Sequence, residues 1–147
     1  MSPGRMDQAR LRRYLVALDD ILTRLSEHTG KAVDALSADT NERWAIERGL
    51  QLCTQCVLDI ATHLVASAGR DAADYASALD ELGRMGVLSR DLARRLRPLA
   101  GFRNALVHGY LTIDVARLHG VLNQHLDEVR EFARSIDALL SAERPDP

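Results

Sequence analysis

DTNERWAIERGLQLCTQCVLDIATHLVASA, residues 39–68, is the stretch that decides the fold. Asp39 followed three residues later by Glu42 is a helix start, in which side-chain oxygens satisfy the first orphan amides in capping-box fashion. From there Ile46, Leu50, Cys53, Val57, Ile60 and Leu64 alternate at steps of four and three. That is the seam of a helix packed lengthwise in a bundle. The spacing predicts one helix to about Ala68, roughly 40 Å long at the standard rise. Gly49 weakens it by up to roughly 1 kcal/mol against alanine. A close approach by another backbone is the expected reason for tolerating it.

The flanking sequence repeats the pattern. From Asp7 to about His28, Leu11, Tyr14/Leu15, Leu18, Ile21/Leu22 and Leu25 mark an amphipathic helix, with Gly30 at or just past its end. Residues 29–38 read as a connection. A short helix is expected from Asp74 to Leu82, ended by Gly83, followed by a tight apolar turn at Met85-Gly86-Val87-Leu88. Ser89 caps the next helix, which carries Leu92, Leu96 and Leu99 inward. Pro98 removes an amide donor and crowds the preceding turn, so a break or kink is expected near 97–101 before helix resumes over 100–107. Asp114 is the N-cap of a last long helix to about Ala142, with Val115, Leu118, Leu122, Leu126, Val129, Phe132/Ala133, Ile136 and Leu140 buried. The expected fold is all-α: an up-and-down bundle of about five helices. It forms one domain over 7–142, with loose tails at 1–6 and 143–147.

Composition narrows the function classes. Hydrophobic residues are 46% of the 147 and aromatics only 4%, so aliphatic side chains must fill the core. No apolar run approaches a membrane span, and residues 1–10 lack the apolar core of a secretion signal. A cytoplasmic location without membrane attachment is therefore expected. The net charge of −2 argues for no polyanion partner on the whole-molecule scale. Between Arg84 and Tyr110, however, six arginines (84, 90, 94, 95, 97 and 103) face one acid, Asp91, a local surplus of five. Arg94, Arg95 and Arg97 are the candidate polyanion-binding residues of that run, although a solvated helix face is the commoner explanation of such a run. Cys53 and Cys56 form a C-x-x-C with no second ligand pair at zinc spacing and no βαβ context, and are expected to be buried apolar residues. No metal or cofactor site is expected.

Chemistry concentrates in Arg103-Asn104-Ala105-Leu106-Val107-His108-Gly109-Tyr110. A guanidinium forks onto phosphate oxygens, and an imidazole transfers protons near neutral pH. An amide orients, and a phenol donates, accepts or is modified. Together they suit phosphodiester chemistry without a metal. The alternative is structural: Arg and His favour the C-terminal end of a helix dipole, with Gly109 as the residue past that end. A five-residue offset turns about 140° around a helix, so Arg103 meets His108 only if the helix ends between them or a second subunit joins. Asp59 and His63, four apart, can hydrogen-bond on one helix face, the carboxylate fixing the imidazole tautomer. Surface packing is the plain alternative for that pair. His119 and His125 are expected at the solvent or rim.

The run Gly101-Phe102-Arg103-Asn104-x-Leu106-Val107-His108-x-Tyr110 resembles the R-N-x-x-x-H-x-Y signature of HEPN domains, specifically the HepT-like toxins. The likeness extends to Glu42-Arg43, Asp59-Ile60-Ala61-x-His63, Leu82-Gly83-x-Met85-Gly86-Val87-Leu88 and Ile113-Asp114, and covers roughly residues 7–140. The resemblance implies a metal-independent endoribonuclease toxin. Its composite site lies at a homodimer interface, built on Arg103 and His108 and supported by Asn104, Asp59 and His63, and cleavage leaves a cyclic phosphate. It also implies a partner, a nucleotidyltransferase antitoxin that silences the toxin by attaching AMP to Tyr110. Two other readings remain open: a non-catalytic module that grips a nucleotide or a partner's phosphate, and a purely structural dimeric bundle.

Overall fold

A computed structural model describes residues 6–108 and 114–143. Among these residues there are eight helical segments and no strand: α1 Gln8–Ser26, α2 Val33–Ala38, α3 Thr40–Ser67, α4 Tyr75–Arg84, α5 Arg90–Leu96, α6 Pro98–His108, α7 Val115–Gln124 and α8 Leu126–Ala142. The all-α bundle is as expected, but it is divided more finely than into about five helices. Residues 33–38 coil into the short α2, whose Leu36 is buried. The long C-terminal helix is two, separated at His125, where φ is −113°. His125 bonds Glu128, and acids in the next turn favour a fresh helix start there.

α3 is the central post. It packs against α1, α4 and α6, while α8 closes the bundle against α1 and α5. All six residues of its seam are buried, as are Leu11, Leu18, Leu22 and Leu25 of α1 and Leu126, Val129, Phe132, Ile136 and Leu140 of α8. Met6 also packs against this core. Starts are set by side chains: Asp7, Asp39, Asp74, Ser89 and Asp114 each accept from an amide two or three residues on. Each such cap is worth roughly 1 kcal/mol.

Three glycines show how closely the helices approach. A Cβ on Gly49 would lie 2.7 Å from Cδ2 of Leu25, so α1 approaches α3 there through a buried side chain rather than through backbone. Gly83 does not end α4 but sits inside it, where a Cβ would lie 3.1 Å from that of Ala93 in α5. The stop comes three residues later, at Gly86 with φ +76°, a left-handed turn open to glycine at little cost. Pro98 opens α6 rather than kinking a longer helix, where its missing N–H costs nothing.

Candidate active site

α6 carries the site. The helix runs unbroken from Pro98 to His108, so it does not end between Arg103 and His108. Their Cα positions therefore face different directions, about 140° apart. The side chain of Arg103 closes part of that gap. It is half-buried, its Nε donates to Gln55 Oε1 at 3.2 Å, and Nη1 donates to Asn104 Oδ1 at 3.4 Å. Its guanidinium lies over the Tyr75 ring, 5.3 Å from the centroid. Gln55 is fixed in turn, donating to Asp59 Oδ1 at 2.8 Å and, at 3.4 Å, towards the Tyr75 hydroxyl. Asp59, Gln55, Arg103 and Tyr75 thus form one chain of contacts from α3 to α6 and α4. Gln55 and Tyr75 were not among the site residues expected from the sequence.

Asn104 and His108 are four residues apart and share a helical face, on which Gly101 lies one turn earlier. His108 is the only exposed histidine of five. The others are half-buried with partners elsewhere. His28 faces Glu42, His119 Nε2 meets the Lys31 carbonyl at 2.9 Å, and His125 Nδ1 meets Glu128 at 2.8 Å. His63 Nε2 accepts from the Asp7 amide at 3.1 Å, and Asp59 Oδ1 accepts from Gln55. The expected Asp59–His63 bond is therefore not made. Asp59 holds Gln55, and His63 anchors the start of α1 to α3. Tyr110 and Gly109 lie outside the described residues.

The arginine run is less free than its charge count suggested. Arg94 pairs with Asp91, Arg95 with Asp91 and Glu131, Arg97 with Asp80, and Arg84 with Glu81. These acids come from within a turn or from α4 and α8. The Glu81 carboxyl is held below its ordinary range by Arg70 and Arg84, and that of Asp91 by Arg94 and Arg95. Cys53 and Cys56 are buried unpaired thiols, pushed up to about 12 mainly by burial, and hence unreactive as thiolates near neutral pH.

Residues 18–136 match the family model described as "Ribonuclease HepT-like". The chain is 28% identical over 127 residues to "tRNA nuclease HepT" of Aphanizomenon flos-aquae, covering 82% of this chain and 86% of the relative. In fold it is similar to YutE of Bacillus subtilis, described as a cytosolic protein of unknown function (TM-score 0.84, 20% identity, 98% of each chain). It is also similar to a tri-AMPylated Shewanella oneidensis HEPN toxin in complex with an MNT antitoxin (TM-score 0.77, 19% identity, 87% of this chain and 96% of that one). With the family model spanning most of the bundle, α6 included, the chain belongs to the HepT-like ribonuclease family.

Proposed function

We propose that the protein is a metal-independent endoribonuclease, the toxin of a toxin–antitoxin pair, whose site is completed by a second copy of the chain. One observation carries the reading. The guanidinium of Arg103 is held from behind by Gln55 and Tyr75, with its tip at Asn104, and the exposed His108 lies one turn further along that face. The terminal nitrogens then offer a fork for a phosphate, and His108 a group for moving protons beside it.

Cleavage by the 2′-hydroxyl needs a base for that hydroxyl, an acid for the leaving 5′-oxygen, and positive charge on the phosphate. Attack forms the cyclic phosphate and expels the 5′-hydroxyl, with no oxidation or reduction. Each chain exposes one imidazole, so the second proton-transfer group is the His108 of another copy, brought in by two-fold symmetry. Val107, the neighbour of His108 and 36% exposed, supplies apolar surface for that contact. Arg94, Arg95 and Arg97 join the RNA track by exchanging carboxylate partners that solvent still reaches, and that hold them weakly, for phosphates. Asp59 supports the site through Gln55, and His63 through the seating of α1.

The relative named a tRNA nuclease makes tRNA the first substrate to try, and the AMPylated neighbour supports a nucleotidyltransferase antitoxin as partner. AMP on Tyr110, two residues from His108, would set a bulky anion against the phosphate grip. Among the described residues no helix is long and apolar enough to cross a membrane, which suits a cytoplasmic site of action. The test is RNA cleavage in chelator by wild type, Arg103→Ala and His108→Ala. Wild type is expected to cut, and each variant to lose about 10²–10⁴-fold in rate while keeping its fold. A fully active His108→Ala, or cleavage abolished by chelator, contradicts the reading.

A further inference from the structure

A cleft of about 590 Å³ opens beside Arg103, between the C-terminal half of α3, the start of α4 and the outer face of α6. Thr62, Asp74, Tyr75, Ala100, Gly101 and Asn104 line it together with alanines of the α3–α4 connection. Two of these residues also hold the arginine: Tyr75 lies under the guanidinium, and Asn104 accepts from it. Gly101 and Asn104 belong to the α6 face that ends in His108. The cleft is therefore continuous with the proposed phosphate grip.

Its chemistry is unlike that of a phosphate site. Small side chains and a tyrosine make flat apolar walls, and a Cβ on Gly101 would meet nothing within 4 Å. At the rim Asp74 is an acceptor. The Ser77 amide donates to its Oδ1 at 2.8 Å, using part of the carboxylate's capacity and leaving the rest. The Ser77 amide and hydroxyl also hold this carboxyl below its ordinary range, so it carries full charge near neutral pH. Asn104 can donate, because its Oδ1 is taken by Arg103 and its NH₂ group has no partner among the described residues. A negative charge there repels a phosphate, while an acceptor and a donor on apolar walls match the edge and faces of a base.

From this continuity we infer that the cleft is a nucleobase subsite of the RNA. It takes the base next to the phosphate on Arg103 and favours bases with an exocyclic amino group over uracil. The amino group donates to Asp74, and a ring nitrogen or carbonyl of the same base accepts from Asn104. This inference rests on the ribonuclease reading above, and its test is a binding measurement that needs no cleavage.

The probes are short oligoadenylate, oligocytidylate and oligouridylate RNAs, titrated against His108→Ala protein so that the RNA stays intact. Adenylate and cytidylate should bind more tightly than uridylate. Adding Gly101→Leu fills the cleft and should weaken the amino-bearing RNAs by about tenfold or more, the loss of one stacked base. Adding Asp74→Asn keeps the helix cap and should remove the preference over uridylate. Thermal unfolding of each variant checks that the fold persists. Undiminished binding by a folded Gly101→Leu, or an unchanged base preference in Asp74→Asn, overturns the inference. So does a Gly101→Leu variant that keeps RNA affinity but loses its protein partner, which would assign the cleft to protein. A wild-type protein that cuts no RNA would instead remove the ribonuclease reading, while the binding series still decides the cleft.

Discussion

Arg103 is aimed as much by its neighbours as by its place on α6. Its Nε is committed to Gln55, which is itself held by Asp59, so the guanidinium plane is fixed and the terminal nitrogens point onward. Gln55→Leu keeps the volume of the side chain and removes its bonds to Arg103, Asp59 and Tyr75. We expect kcat/KM for RNA to fall by about tenfold or more, as a displaced phosphate ligand does, with little change in thermal stability. Cleavage kinetics beside a melting curve check this, and an unchanged kcat/KM would mean that Arg103 needs no such support. In the sequence Arg103, Asn104 and His108 were legible because three polar chemistries crowd into one short run. Gln55 was not, since a glutamine in mid-helix, 48 residues from the arginine it holds, carries no local signal. The Asp59–His63 expectation failed for a related reason. Spacing of four permits a bond, but a nearby orphan amide at Asp7 and the Gln55 amide offered each residue another partner.

At the scale of elements, helix starts were legible and helix interruptions less so. Asp39, Asp74, Ser89 and Asp114 announce themselves by side-chain chemistry, whereas the break at His125 involves neither proline nor glycine. Glycine was ambiguous from sequence: Gly83 permits a close α4–α5 contact and Gly86 makes the turn, and only the packing tells them apart. Gly49 and Gly101 make the same point measurable. Both are helical, so alanine should gain about 0.5–1 kcal/mol at each from propensity alone. At Gly101 nothing opposes that gain, and Gly101→Ala should raise stability by that amount. At Gly49 the new methyl meets the buried Leu25, an overpacking cost of about 1–3 kcal/mol, so Gly49→Ala should be neutral to destabilising. Denaturant unfolding of the two variants decides it, and equal stabilisation of both would contradict the close α1–α3 approach.

For the whole molecule, the bundle could be read from periodicity, but the surface for the proposed pairing of two copies could not, because one chain's pattern does not say which exposed apolar residues would meet. Control by a partner belongs to the same scale. Incubated with its cognate nucleotidyltransferase and ATP, the protein should gain AMP and stop cutting RNA, and Tyr110→Phe should gain none. Intact-mass spectrometry reads the outcome, and equal addition to both proteins would place the acceptor elsewhere. The central claim, that two copies build one active site, is tested most directly by subunit mixing. Wild-type and His108→Ala chains are exchanged in equal amounts, and RNA cleavage is measured at constant total protein. If each site needs His108 from both copies, only wild-type pairs cut, and activity should fall to about a quarter of the undiluted value, tracking the square of the wild-type fraction. Retention of about half, in proportion to the wild-type chains present, would mean that each chain acts alone and would contradict the shared site.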